Sequence, residues 1–465
     1  MNLWRRLLFA CGQLGIMGLA RFFFSWIVKY PEVEPDGYFY SWFVRAGDQL
    51  AALLSSSSAE SLPQSLGRTF LFSATLIGTT VFAFRIFDGV TDPLAGGLSE
   101  AWVRRGRQRR TLLWGSFLLP PLGLALIFMP THAMLPSLRW GLLVTGMFVF
   151  FVGYTFYAIP YWTLIEDYAQ GDVKERTLLS NLLGVGVFAA VAVVALLSPK
   201  AIEAWGYGVA ALVFAAPCAL LMILPYFAAP PERADAPPVI HDPDAPGLWI
   251  MIKRAFAHRR FVAVLFLFAG SQMSFTFFTS AGPFIAEKLL GGSTGDVSLL
   301  MAPFLGTAFL GFFGVPWLSR RLGWEKAVVL ASLLLGLVYA GSAGLGYGVI
   351  GGPWTTAMLC FGCGGPMAAV LLGLEGEAIS SCATDSDGGG SVSVYFGVFN
   401  FVIKGLNGLA IFLGGILADA ARGEWGNTAV RLMAFSAGGM LVVGVVGYFL
   451  VRPRDAAPAA AVKVA

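Results

Sequence analysis

Charged residues are scarce in this sequence. Asp, Glu, Lys and Arg make up 12% of the 465 residues, and hydrophobic residues make up 57%. A soluble domain carries about 25% charged residues, so this chain has too few polar side chains to cover a globule in water. The net charge of +4 is small, and no basic-aromatic segment or Gly-rich phosphate loop accompanies it. We therefore expect no nucleic-acid partner.

Histidine and cysteine are also rare. None of the three His lies inside a long apolar run, so a membrane-embedded hydrolase would lack a general base. Among the five Cys, Cys360 and Cys363 form a C-x-x-C pair. The second ligand pair of a zinc site and the βαβ context of a redox site are both missing around that pair. We therefore expect a protein that is not an enzyme and that holds no cofactor.

Long apolar runs are what the sequence has in excess. Twelve of them reach roughly 20 residues or more, the length that crosses a bilayer. The first follows Arg5 and Arg6 and ends at Lys29 without a small-residue cleavage site, so we interpret it as a retained helix rather than a signal peptide. The predicted spans are 7–28, 69–101, 111–130, 137–166, 177–198, 205–228, 261–286, 296–318, 325–347, 350–380, 392–418 and 428–451.

Lys and Arg are unevenly distributed among the connections between these spans. If the N-terminus lies inside, most of the 31 Lys and Arg fall on the cytoplasmic side, including the Arg-rich segment 104–110. This is the bias that the positive-inside rule describes. We predict that both termini are cytoplasmic and that the protein is integral to a bacterial inner membrane.

A proline-rich stretch divides the spans six and six. Residues 229–260 contain Ala-Pro-Pro twice and then Asp-Pro-Asp-Ala-Pro, a composition that forms an extended linker rather than a helix. A parallel repeat of two six-helix halves is the architecture of a major-facilitator carrier, whereas the short re-entrant filter of a channel is missing. The predicted units are a first half over 1–228, a cytoplasmic linker with an amphipathic segment over 229–260, a second half over 261–451 and a cytoplasmic tail over 452–465.

The connection 31–67 is unusually long for a predicted outer loop. Its aromatic segment 37–43 is followed by four consecutive Ser at 55–58. We predict an interfacial aromatic helix followed by flexible chain. A solvated insertion without function is the alternative.

The second span carries three charges on one helical face. Arg85, Asp88 and Asp92 follow each other at i, i+3 and i+7, with Thr91 beside them. Charged side chains inside a membrane cost several kcal/mol and indicate function by default. Two carboxylates one turn apart offer hard oxygen ligands to a small cation, or can share a proton. A structural ion-pair cluster is the alternative, although one Arg cannot neutralise two buried carboxylates.

The eleventh span contains Lys404, about 12 residues from its start and too deep to reach water easily at ~1.5 Å per residue. Its own span has no acid, so the natural partners of Lys404 are Asp88 and Asp92. A Lys that neutralises the empty carboxylates and yields when a cation enters is a charge switch, in which Arg85 also takes part. Snorkelling of Lys404 to the membrane surface is the alternative.

These motifs carry a family resemblance. Residues 85–93, Arg-Ile-Phe-Asp-Gly-Val-Thr-Asp-Pro, resemble the signature of the glycoside–pentoside–hexuronide:cation symporters, the melibiose permease-like group of the major facilitator superfamily. Residues 154–164 and 374–404 resemble the fourth-helix and tenth-to-eleventh-helix regions of that family, so the resemblance covers most of the chain. It implies symport by alternating access, with Na⁺ or H⁺ bound by Asp88, Thr91, Asp92 and Thr155.

Several positions that would face the solute depart from the family pattern. Ile16, Met17, Ala158 and Gly184 stand where sugar-carrying relatives have polar or charged side chains. A sugar needs convergent buried donors and acceptors. A glycoside or related sugar is the solute that the family resemblance implies. Because these positions depart from the family pattern, other classes of solute are also candidates.

Arg21 lies one turn beyond Met17 on the first span. A guanidinium above apolar side chains suits an anionic solute or an amphiphile with a phosphate or carboxylate head. Snorkelling of Arg21 to the outer interface is the alternative. The predicted substrate cavity is lined by Gln13, Met17, Arg21, Tyr154, Trp162, Asn181, Gln272, Asn400 and Asn407.

Basic and acidic side chains cluster at the predicted cytoplasmic helix ends. Arginines there can pair with Glu100, Glu166 or Asp167 and close the inward side, although a solvated positive-inside loop explains them equally well. The predicted cytoplasmic gate consists of Arg104, Arg105, Glu166, Asp167, Arg320 and Arg321.

We therefore expect a monomeric secondary transporter in the lipid bilayer that couples a small organic solute to Na⁺ or H⁺, with no metal beyond a possible Na⁺. The alternatives within transport are a coupled carrier of an amphiphilic or anionic solute, such as a lysolipid or an organic acid, and an uncoupled facilitator. A receptor or scaffold is the alternative outside transport, but it would not need carboxylates at mid-membrane.

Overall fold

The computed structural model describes residues 1–32, 71–230, 248–347, 351–383 and 392–453. These residues are 87% helical and contain no β-strand, so the predicted all-α class is confirmed. Most of the connection 31–67, the proline-rich part of the linker 229–260 and nearly all of the tail 452–465 lie outside the described residues.

Within the described ranges we number thirteen α-helices. The long apolar runs of the sequence form helices, because a helix satisfies all of its backbone hydrogen bonds without water. The helices are α1 (Leu3–Trp26), α2 (Ala74–Arg104), α3 (Thr111–Ser116), α4 (Leu119–Ile127), α5 (Pro136–Ala169), α6 (Val173–Ile223), α7 (Leu248–Ala257), α8 (Arg259–Phe284), α9 (Val297–Leu322), α10 (Trp324–Gly341), α11 (Pro353–Ala383), α12 (Val392–Arg422) and α13 (Gly426–Val451).

Ten helical segments in the described part of the chain are long and apolar enough to cross a membrane. One of them, Lys174–Ala228, covers two predicted spans, and the shorter apolar segment Thr111–Ile127 covers another. Counted in this way, the described helices account for all twelve predicted spans.

Helix α6 is interrupted at Gly206, where φ is 74° and ψ is 169°. A positive φ is open to glycine and costly for residues with a Cβ. The helix runs through Pro199, although the sequence predicts the connection between the two spans over 199–204. Proline removes one helical hydrogen bond but keeps a helical φ, whereas the backbone angles of Gly206 end the helical run.

The first compact unit comprises residues 1–84 and 91–237. In it α1 packs along α6, and α4 packs along α5. Small residues let these backbones approach closely, as is typical of membrane helices. A Cβ atom added at Gly15 of α1 would lie 2.7 Å from the carbonyl oxygen of Cys218 in α6.

The second compact unit comprises residues 85–90 and 238–465. Helix α8 packs against α12 and α13, and α9 packs against α11. Helices α8 and α12 run parallel, because their contacts advance together along both chains. The contacting pairs are Phe261 with Tyr395, Phe268 with Phe399, and Thr276 with Asn407.

Candidate functional site

The carboxylate of Asp88 in α2 is fully buried and has two cationic groups on one oxygen. Arg85 Nη1 lies 2.8 Å from Asp88 Oδ2, and Lys404 Nζ lies 3.1 Å from the same atom. Arg85 reaches Asp88 because the two residues are one helical turn apart. Lys404 comes from α12, which approaches α2 closely at Gly89, where an added Cβ would lie 2.9 Å from the ring of Phe401.

The two cationic side chains beside Asp88 are buried, as is Asp88 itself. The side chains of Arg85 and Lys404 are 9% and 10% exposed, and that of Asp88 is 0% exposed. Buried charges are tolerated when opposite charges and hydrogen bonds compensate them. Arg85 and Lys404 thus place two cationic groups on one oxygen of a buried carboxylate.

Asp92 is half-buried and lies beside hydroxyl groups. Thr155 Oγ1 donates a long hydrogen bond of 3.4 Å to Asp92 Oδ1. The side chains of Thr155 and Thr91 are themselves buried. Carboxylate and hydroxyl oxygens are the ligands that hard cations prefer. The described residues contain no cluster of three His, Cys, Asp or Glu that could hold a metal ion.

In the first unit the structure brings two of the predicted cavity residues together. Trp162 Nε1 donates to Gln13 Oε1 over 2.8 Å, and Gln13 is only 3% exposed. Tyr154 is buried and stacks near Phe150, whereas Asn181 is exposed. The amide of Gln13 is therefore held by an indole within the helix packing.

The positions that depart from the sugar-carrying pattern have different surroundings. Ile16 and Ala158 are 0% exposed, so packing explains their apolar side chains. Met17 and Arg21 are only half-buried and share one face of α1. A Cβ added at Gly184 would meet no atom within 4 Å.

In the second unit a carboxylate joins the predicted cavity residues. Gln272 Nε2 donates to Glu375 Oε2 over 2.6 Å, and Thr276 Oγ1 donates to Asn407 Oδ1 over 3.0 Å. Asn400 is exposed. Glu375 is not among the site residues predicted from the sequence, although an acid within the tenth predicted span is a signal that could have identified it.

The predicted gate residues find partners outside the predicted set. Asp167 pairs with Arg109, whose Nη1 lies 3.2 Å from Asp167 Oδ1, and Arg109 also reaches Glu100 Oε1 over 2.5 Å. Arg176 Nε lies 2.8 Å from Glu166 Oε1. Arg109 is buried and is the basic residue that joins the ends of α2 and α5.

The other predicted gate residues lie on helix surfaces. Arg104 and Arg105 are exposed at the end of α2. Arg320 donates to the carbonyl oxygen of Pro316, and Arg321 stacks on the ring of Trp317 at 4.6 Å. Both of these contacts lie within α9.

Comparisons with known proteins show both the fold and the family. Residues 66–458 match the family model described as MFS/sugar transport protein, and no curated protein matches the chain. A bacterial homologue of the human lysosomal transporter Spinster is similar over 97% of both chains, with a TM-score of 0.66 and 14% identity. The nucleoside transporter NupG is similar over 97% of this chain and 99% of its own, with a TM-score of 0.57 and 16% identity.

The two solved structures share the major-facilitator fold with this chain, which confirms the predicted fold class. The family match covers far more than half of the sequence. The expectation that the chain is not an enzyme is also confirmed, because the family is one of transporters. The chain is therefore an integral membrane transporter, and it belongs to the MFS/sugar transport protein family.

Proposed function

We propose that this transporter is a melibiose permease-like symporter that couples a small organic solute to Na⁺ or H⁺ bound at Asp88 and Asp92. The observation that carries the proposal is the position of Lys404, whose ammonium lies 3.1 Å from a fully buried carboxylate oxygen. Arg85 already contacts the same oxygen. Lys404 is therefore the second of two cationic groups on this oxygen, and in the proposed mechanism an incoming ion replaces it.

The proposed transport cycle depends on the exchange of one cation for another beside Asp88 and Asp92. An ion enters beside Asp92, where the hydroxyl of Thr155 supplies a further oxygen ligand, and Lys404 leaves Asp88. The new charge arrangement raises the affinity for solute, and the bound solute must raise the affinity for the ion by the same factor. Alternating access then carries both across the membrane. The coupling ion is the only bound cofactor that this mechanism needs.

A glycoside or related sugar is the first candidate solute, since the family description names sugar transport. An amphiphilic or anionic solute is the second candidate. It is favoured by Met17 and Arg21, which share the less buried face of α1, where a guanidinium can bind a phosphate or carboxylate head. We propose that the transporter acts as a monomer in a bacterial inner membrane.

Binding of radioactive sodium to the purified protein tests the coupling site without knowledge of the solute. We expect saturable binding that D92N abolishes, and a parallel measurement of proton uptake with a pH indicator covers H⁺ as the ion. D419N is the matched control, because Asp419 lies near the end of α12 and pairs with Arg422 of the same helix. Equal binding of both ions by D92N and the unmodified protein would refute the proposal.

Uptake into proteoliposomes separates the solute classes. Under an inward sodium or proton gradient, a labelled glycoside panel is compared with a labelled lysolipid and an organic acid. R21Q should remove uptake of an anionic head group and spare that of a neutral sugar. Solute uptake that is the same with and without either ion gradient would refute coupling and indicate an uncoupled facilitator.

A further inference from the structure

Glu375 is a carboxylate inside the second unit that the coupling site does not use. It lies within α11, in a segment long and apolar enough to span a membrane. Among the described residues, its side chain accepts a hydrogen bond from Gln272 over 2.6 Å, and it forms no ion pair with Lys or Arg. An ionised carboxylate that is buried in such a segment with only an amide as its partner raises the free energy of the protein. A positive charge that reached Glu375 would offset this cost.

The parallel packing of α8 and α12 brings Lys404 to the level of this carboxylate. Thr276 of α8 contacts Asn407 of α12. Gln272 lies four residues before Thr276, and Lys404 lies three residues before Asn407. Each is therefore about one turn, or ~5 Å, before the same contact along two parallel helices.

Helix α11 packs against both of these helices. It presents Glu375 to Gln272, which lies at the level of Lys404 along the parallel pair α8 and α12. Lys404 has a flexible four-carbon stem that can carry its ammonium between neighbouring partners.

We propose that Glu375, positioned by Gln272, receives the ammonium of Lys404 when a cation has displaced it from Asp88. The inference rests on the proposed function, since it supplies the second position of the charge switch. Without a second carboxylate, the released ammonium would remain in the protein interior without a counter-ion. Glu375 thereby lowers the free energy of the ion-bound state and acts as a positioning residue for coupling.

A double-mutant cycle on sodium binding tests this role. The unmodified protein, E375Q, K404Q and E375Q/K404Q are compared by the sodium concentration at half-saturation. We expect E375Q to raise that concentration roughly tenfold when Lys404 is present and to change it less than about twofold in the K404Q background. If H⁺ is the ion, the same four proteins are compared by the midpoint of the proton uptake that D92N removes.

Two further variants control for general effects. E377Q changes an exposed acid two residues along the same helix, and it should behave as the unmodified protein. E375D keeps the charge and should restore most of the affinity, and size-exclusion chromatography shows whether each variant is folded.

The outcomes separate the two proposals. Ion binding that survives D92N refutes the coupling site itself. If D92N abolishes binding and E375Q has no effect, the coupling site stands and the role of Glu375 is refuted. An equal effect of E375Q in both backgrounds also refutes this role, because Glu375 would then act on the ion or the helix independently of Lys404.

Discussion

Lys404 and Asp88 form an ion pair between α12 and α2, with Nζ 3.1 Å from Oδ2 and the carboxylate fully buried. Breaking one side of a buried pair is more destabilising than removing both partners, because the remaining charge is left without compensation. The stabilities of single and double variants can therefore test this ion pair without a transport measurement.

Replacement of Asp88 by Asn should destabilise the protein by about 3 kcal/mol, because Arg85 and Lys404 would remain buried without their carboxylate. The additional substitution K404Q should recover part of that loss by removing one of the two cations. Thermal unfolding in detergent, followed by tryptophan fluorescence, measures both changes. A double variant less stable than D88N would contradict the assignment of Asp88 as the counter-ion of Lys404.

Replacement of Lys404 by Gln should raise the affinity for sodium several-fold, because the ammonium no longer competes with the ion at Asp88. The same variant should lose solute accumulation driven by a gradient, since ion entry would no longer change the charge arrangement. Radioactive sodium binding and proteoliposome uptake measure the two effects. A fall in sodium affinity would show that Lys404 does not compete with the ion.

Replacement of Arg109 by Gln should lower the stability of the first unit by about 1–3 kcal/mol, since a buried side chain would lose two charge-assisted hydrogen bonds. Arg107 offers a matched control two residues away, because it is exposed and stacks on the ring of Trp102. We expect R107Q to unfold at the same temperature as the unmodified protein. Equal unfolding temperatures for R109Q and R107Q would argue against a structural role for Arg109.

Replacement of Gly15 by Val should destabilise the contact between α1 and α6 by about 1–3 kcal/mol, because overpacking forces backbones apart. The added Cβ would lie 2.7 Å from a backbone oxygen of Cys218. G184A is the control, since a Cβ there meets no atom within 4 Å and alanine favours a helix more than glycine does. Thermal unfolding compares the two variants, and a stable G15V would show that α1 can shift without cost.

The helices were predictable from the sequence because long apolar runs have one stable form in a membrane. The pairing of Lys404 with a carboxylate of the second span followed from the absence of an acid in its own span. The connection between the two spans of α6 was predicted over 199–204, whereas the helix is interrupted at Gly206, because the conformation of a glycine depends on the packing around it.

The partners of the remaining charges could not be read from spacing. Segment 104–110 contains five Arg, and only the fold shows that Arg109 is the one buried against Glu100 and Asp167. Glu375 likewise stands out only through its hydrogen bond with Gln272, a residue 103 positions away. Such contacts depend on helix packing, which a single sequence does not specify.

The burial of Asp88 also has a kinetic consequence. Asp92 is half-buried, whereas the side chain of Asp88 is inaccessible to solvent. At the proposed coupling site we therefore expect an arriving ion to contact Asp92 first and to reach Asp88 only after neighbouring side chains have moved. We expect exchange of the proposed ion at Asp88 to be limited by the frequency of such openings, which for collective motions take microseconds to milliseconds, rather than by diffusion.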